Sequence, residues 1–279
     1  MRFERSARRA TSRQLVACLF AQRVSFVRNR GAMTVVPTIK LFETDAYVRE
    51  LETTIVDQSD TGVCLEKTIF YAESGGQPGD IGELLLDGGE PLLVADTQYI
   101  PGRLRIAHVL ATPPDRSLIG AKVLARIDWE RRYRLMRLHT ALHLLCSLVD
   151  APVTGCAIYP DYARLDFDIE APLDRQLLTD RLNALVGNDL PVEIQHLSAD
   201  EMSAMPSLVR TVQAAPPQTG RQLRLVSIGD IDRQPCGGTH VESTGEIAGL
   251  AVTSVEKKGR RNRRVKIALA ASTEPSTAG

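Results

Sequence analysis

Asp128-Trp129-Glu130-Arg131-Arg132-Tyr133-Arg134-Leu135-Met136-Arg137-Leu138-His139-Thr140-Ala141-Leu142-His143-Leu144-Leu145-Cys146-Ser147-Leu148-Val149 divides the chain into two kinds of structure. Leu135, Leu138, Leu142, Leu145 and Val149 recur at steps of three or four, the period of one buried helix face. Asp128 suits an N-cap, and Pro152 ends the segment. Upstream, short apolar runs at 53–56, 63–70, 81–86, 92–97, 104–110 and 122–127 alternate with turn clusters. Ser59-Asp60-Thr61-Gly62, Gly75-Gly76-Gln77-Pro78-Gly79, Asp87-Gly88-Gly89 and Pro101-Gly102 are those turns. Five or six strands at this spacing predict a small antiparallel β-barrel.

Downstream the pattern mixes. Residues 164–169 alternate as a half-buried strand. Residues 173–186 have the helical period and close at Gly187. Ser198-Ala199-Asp200-Glu201 has the form of a capping box and predicts a short third helix. Residues 223–228, 248–255 and 264–270 read as strands. The fold class expected is α+β: a barrel over 33–128, then an α+β domain over 129–270. Residues 271–279 are small and polar and read as a disordered tail.

The 279 residues are enough for two domains of ordinary size. With 43% hydrophobic and 24% charged residues, the composition is that of a folded chain. No run of about 18 apolar residues occurs, so a membrane-spanning helix is not expected. Five cysteines are too few, and too odd in number, for a disulfide scaffold. A reducing compartment, the cytoplasm, is expected.

Formal net charge is zero, from 34 basic and 34 acidic residues, but the distribution is uneven. Residues 1–32 hold eight arginines and one acid, about +7, and the remainder carries about −7. The first 32 residues read either as a mitochondrial-type targeting peptide or as sequence ahead of a true start at Met33. The excess of 28 arginines over six lysines, as in a GC-rich genome, favours the second. Either way they are set outside the core. Within the acidic body, residues 257–266 hold seven bases and no acid, a patch able to bind phosphates.

His139 and His143 are spaced i, i+4, which stacks both imidazoles on one helix face, about 5–6 Å apart at Cβ. Alone, the pair reads equally as two partly buried helix histidines. Cys236-Gly237-Gly238-Thr239-His240 adds a thiol and an imidazole across two glycines, which permit left-handed turns. His139, His143, Cys236 and His240 together form a set suited to zinc. Four protein ligands normally mark a structural site, and a catalytic one keeps a position open. Both readings stand at this point. The helix lacks the glutamate that follows the first histidine in zinc proteases. A hydrolase would therefore take its base from activated water, a substrate hydroxyl or another group.

These residues resemble the editing domain of alanyl-tRNA synthetase and the free-standing alanyl-tRNA editing proteins called AlaX. The carriers are His139-x-x-x-His143, Cys236-Gly237-Gly238-Thr239-His240, Phe70-Tyr71-Ala72-Glu73-Ser74-Gly75-Gly76-Gln77, Thr244-Gly245-Glu246-Ile247 and residues 258–265. They run in the family's order over residues 38–270. The resemblance implies a zinc-dependent deacylase of tRNA(Ala) mischarged with serine, and sometimes glycine. It implies that Thr140 reads the serine hydroxyl. A mid-helix threonine bonded to its own backbone is the plain alternative.

It further implies that Gly75, Gly76 and Gln77 place the tRNA acceptor end, where spacing alone implies a tight turn. Lys257, Lys258, Arg260, Arg261, Arg263 and Arg264 are then candidate phosphate contacts. Arg131, Arg132, Arg134 and Arg137 extend that surface or only solvate a helix face. Arg164 and Asp166 share a strand face, either reaching the site or forming an ion pair. Thr154-Gly155-Cys156 departs from the glutamine common in synthetase editing domains, and Cys146 reads as packing. Two other functions compete: a non-catalytic tRNA-binding module with structural zinc, and a metallohydrolase of small esters or amides.

Overall fold

A computed structural model describes residues 36–198, 201 and 222–270. The 1–32 extension, the 271–279 tail and the third helix after Ser198 lie outside the described residues. Ser198 and Glu201 do make the reciprocal bonds of a capping box.

The chain begins with β1 (Ile39–Lys40) and a 3-10 turn (Leu41–Glu43). Then come β2 (Glu50–Gln58), β3 (Gly62–Leu65), β4 (Lys67–Thr68), β5 (Gly82–Leu86), β6 (Leu92–Tyr99), β7 (Ile106–Leu110) and β8 (Lys122–Ile127). Six of these close into an antiparallel barrel in the order β2-β3-β7-β6-β5-β8. The barrel expected from the apolar runs is therefore present. Its core holds Ile55, Leu65, Phe70, Leu84, Val94, Val123, Ala125 and Ile127. Val123, Ala125 and Ile127 show the two-residue period directly. The run expected over 63–70 divides at Glu66, because β4 leaves the barrel to pair in parallel with β1.

Helix α1 (Trp129–Leu148) begins directly after β8, and the Asp128 side chain accepts from the Arg131 N–H at 3.0 Å. The leucine stripe is buried, but so are Met136, His139, Thr140, His143, Leu144 and Cys146. From Leu135 onward α1 is enclosed on nearly all sides. The enclosing elements come later in the chain: β9 (Val153–Ile158), β10 (Ala163–Asp168), α2 (Arg175–Gly187), β11 (Val192–Ser198), β12 (Gln222–Ile228), β13 (Asp232–Pro235), a 3-10 turn (Thr244–Ile247), β14 (Leu250–Gly259) and β15 (Asn262–Leu269). Strands β14-β15-β10-β9 form one sheet and β11-β12-β13 another. Leu138, Leu142 and Leu145 share a core with Leu165, Phe167, Leu182, Val265 and Ile267. Leu178, Leu182 and Val186 are the buried residues of α2, at i, i+4 and i+8.

One buried ion pair ties α1 to the barrel. Arg132 and Asp80 are 0% and 1% exposed at the side chain. Arg132 donates twice to Asp80 Oδ2, and also to the Ala46 and Ile69 carbonyls at 2.8 and 2.6 Å. Asp80 accepts further from the Tyr71 N–H at 2.7 Å.

A second buried polar group sits inside the barrel. His108 Nδ1 donates to the Val63 carbonyl at 3.3 Å, and Nε2 accepts from the Thr68 hydroxyl at 2.7 Å. Burial lowers its pKa to about 4, against about 6.5 in an unfolded chain. Between these values the unfolded state binds more protons, so this contribution is complete above pH 6.5 and lost toward pH 4. Urea unfolding at pH 7 and pH 4.5 is expected to show a loss on the order of 3 kcal/mol from this group. His108→Gln is expected to remove that part of the acid sensitivity.

Candidate metal centre

Four donors from two distant segments meet on the inner face of α1. One donor atom each from His139, His143, Cys236 and His240 lies within 4.8 Å of all the others. His139 and His143 come from successive turns of α1, with ring centroids 5.4 Å apart. Cys236 and His240 come from the loop leaving β13. Cys236 Sγ lies 3.4 Å from His139 Nε2 and 3.3 Å from His240 Nε2.

Each histidine has its other ring nitrogen occupied. His139 Nδ1 is 2.8 Å from Gln77 Oε1, His143 Nδ1 is 2.8 Å from Asp232 Oδ2, and His240 Nδ1 is 3.1 Å from Thr140 Oγ1. An oxygen holding Nδ1–H leaves the Nε2 lone pair free, the arrangement found behind metal-bound imidazoles. Three imidazoles and one thiol so prepared fit zinc. Burial alone would raise the Cys236 thiol, but the His139 and His240 rings outweigh it and hold the thiol well below its ordinary value. Burial would lower His143, yet Asp232 and Cys236 raise it to about 9.

The loop glycines act differently from the sequence-based expectation. Neither Gly237 nor Gly238 has a left-handed φ. Gly238 is instead required for close approach, since a Cβ there would fall 2.0 Å from His139 Cε1. Arg224, 5% exposed, donates to the carbonyls of Cys236 and Gly238 at 2.8 and 2.7 Å and so holds the loop.

Sequence reasoning missed Arg224, Asp232 and Gln234, whose amide donates to Asp232 at 3.0 Å. One signal existed: Asp232, Gln234 and Cys236 are spaced by two, on one strand face. Arg224 was a lone charge inside an apolar strand.

Thr140 is 0% exposed, and its hydroxyl meets His240 and the Val241 N–H. In the glycine-rich turn, Gly75 and Gly76 are exposed and left-handed, at φ 58° and 84°. Gln77 is 0% exposed and turned inward. Its amide bonds His139 and Thr239.

The basic stretch forms the β14–β15 hairpin and is largely paired. Lys258 and Lys266 meet Glu256, Arg260 meets Glu170, Arg261 meets Asp168, and Arg264 meets Asp166. Lys257 and Arg263 have no such carboxylate among the described residues. Arg164 pairs with Asp166 at 2.7 Å, the ion-pair alternative. Of the helix arginines only Arg134 is exposed. Arg132 is committed to Asp80, which corrects its place on a solvent surface.

Cys146 lies in the core. Burial pushes the Cys156 thiol up to about 12, so it stays protonated beside Gly76. Glu246, from the Thr244–Ile247 motif, accepts from the hydroxyls of Tyr47 and Tyr133 at 2.7 and 2.9 Å and closes a capping box with Ser243. That motif fastens the loop after His240 to the start of α1.

Among the described residues no helix is long and apolar enough to cross a membrane. Residues 223–266 match the family model described as the threonyl and alanyl tRNA synthetase second additional domain, and residues 7–131 match that of class II (A) tRNA synthetases. Alanyl-tRNA editing protein AlaX-M of Methanosarcina acetivorans is 34% identical over 245 residues, 82% of this chain and 98% of that protein. AlaX-M of Saccharolobus solfataricus is 34% identical over 232 residues, 82% and 97% of the two chains. The alanine–tRNA ligase of Ignicoccus hospitalis is 35% identical over 231 residues, 79% of this chain but 25% of the ligase. The likeness to the ligase covers one part of a longer protein, and the likeness to these two AlaX-M proteins covers nearly all of theirs. The chain therefore belongs to the alanyl-tRNA editing protein family, AlaX.

Proposed function

We propose that this protein is a trans-editing hydrolase that deacylates tRNA(Ala) mischarged with serine, and with glycine as a second substrate. The observation that carries this reading is the convergence of His139, His143, Cys236 and His240 in a chain of the AlaX family. These four would hold zinc, which supplies Lewis acidity toward an ester carbonyl or orientation of the terminal ribose.

The chain's own groups serve binding and selection. A cleft of about 380 Å³ opens beside the exposed Gly75-Gly76 turn and is lined by Ser74, Tyr99 and Arg103 among others. The Arg103 guanidinium lies 3.9 Å over the Tyr99 ring. The guanidinium covers the Tyr99 ring, so a base would stack on the guanidinium plane, whose charge also suits a phosphate. Lys257, Lys258, Arg260, Arg261, Arg263 and Arg264 offer phosphate contacts further out. The more exposed pairs of Arg260 and Arg261 are weak and exchange carboxylates for phosphates at little cost, whereas Arg264 is held by two bonds to the largely buried Asp166. Four neighbouring acids still offset four of the hairpin's seven positive charges. We assign serine recognition to Thr140.

A second reading has one observation in its favour. Four protein ligands fill a tetrahedron, the mark of structural zinc, and the protein would then be a tRNA-binding module without catalysis.

With the zinc-loaded full chain, seryl-tRNA(Ala) is expected to lose its serine while alanyl-tRNA(Ala) stays charged. His143→Ala is expected to abolish both zinc retention and turnover. Retained tRNA with an intact seryl ester would instead establish the non-catalytic module.

Thr140→Val is expected to lower seryl-tRNA turnover about 10- to 100-fold, the worth of one or two hydrogen bonds, measured at saturating zinc because the same hydroxyl holds His240 Nδ1. Loss of zinc with an unchanged preference for serine would make Thr140 a support for His240 alone.

Lys257→Gln combined with Arg263→Gln is expected to reduce the slope of log affinity against log salt by about 1.5 to 2. An unchanged slope would remove the hairpin from the tRNA surface.

A further inference from the structure

We infer that Gln77, a residue of the barrel's glycine-rich turn, is a positioning residue of the metal centre: it sets the tautomer and rotation of His139 and thereby the strength with which the cluster holds zinc. This rests on the proposed zinc site and concerns a residue outside the ligand set.

The bonds around the Gln77 amide admit one arrangement. Oε1 lies 2.8 Å from His139 Nδ1 and 3.1 Å from Thr239 N, and Nε2 lies 2.8 Å from Thr239 Oγ1. A backbone N–H only donates, so the Thr239 amide requires the oxygen of Gln77 on that side. That same oxygen faces His139 Nδ1, which must then carry the ring proton. The Nε2 lone pair is left pointing toward Cys236 Sγ, 3.4 Å away. The backbone at Gly238 closes on the same ring, where a Cβ would lie 2.3 Å from Nδ1 and 2.9 Å from Gln77 Oε1. His139 is thus gripped between the loop backbone and the barrel's amide.

The turn is built to deliver this amide. Ser74 and Gln77 exchange backbone bonds at 3.1 and 3.0 Å. Gly75 and Gly76 take left-handed φ between them. A Cβ on Gly76 would fall 2.8 Å from the Cys156 carbonyl, so the turn is pressed against β9. His143 and His240 take their outer partners from β13 and α1. Of the three histidines, His139 alone takes its outer partner from the barrel. Both ends of the Gln77 amide are engaged, by His139 and Thr239, so its effect on the site runs through His139.

The test measures zinc affinity of the full chain by chelator competition, and the visible spectrum of the cobalt-substituted protein. Gln77→Met keeps the volume and removes the bonds. It is expected to weaken zinc binding 10- to 100-fold and to alter the thiolate-to-cobalt band. Gln77→Glu retains an acceptor for both His139 and Thr239 and is expected to stay within a few-fold of the native affinity. Zinc affinity is compared at a temperature where all three metal-free proteins are folded by circular dichroism, since lost bonds at a buried site lower stability; that separates loss of positioning from loss of fold. Native affinity and an unshifted cobalt spectrum in Gln77→Met would overturn the assignment while leaving the zinc reading intact. A native chain that binds no zinc would overturn both.

Discussion

The buried Arg132–Asp80 pair is the constraint on which the rest of the structure depends. Removing either partner would strand a charge in a dry interior, at a cost of about 3–5 kcal/mol. The pair is well satisfied, with the Ala46 and Ile69 carbonyls and the Tyr71 N–H completing it. Asp80 lies three residues after Gln77, and His139 lies two helical turns after Arg132. Docking those charges therefore brings the Gly-Gly-Gln turn level with the metal-binding face of α1. Without that register the barrel would still close, but its amide would miss His139.

The metal centre shows how much of a site lies beyond its ligands. Asp232, Thr140 and Gln77 reach it from a strand, a helix and the barrel, and each holds one imidazole. Arg224 holds the loop between the other two ligands by its carbonyls. Such outer partners orient the ring and fix its tautomer. The basic hairpin obeys the same logic at the surface. Most of its charges are paired with Glu256, Asp166, Asp168 and Glu170.

Two features of the sequence were nearly transparent. The apolar runs over 53–127 announced the barrel, because a two-residue period with glycine and aspartate turns has few other solutions. The spacing of His139, His143, Cys236 and His240 announced a candidate metal centre, and the structure brings the four donors together. Other features were opaque. Strand β11 is mostly exposed and shows no alternation, and β13 is short and polar. Strand β11 leaves no periodic signal and β13 only the spacing of Asp232 and Gln234, since both form by pairing with β12. The depth of Gln77 was not legible, since a glutamine after two glycines in a turn gives no sign of which way its amide faces.

The sequence by itself made the barrel, the main helices and a candidate four-residue donor set legible, because local periodicity and short spacings carry them, and its motifs carried the family resemblance. Only the tertiary structure decided what each polar side chain faces. It buried Arg132, paired most of the hairpin's bases, turned Thr140 toward His240 and carried Gln77 into the metal centre. The physical reason is that a hydrogen bond or ion pair between residues 62, 98 or 162 positions apart leaves no local pattern. It exists only once helix, barrel and loop have packed.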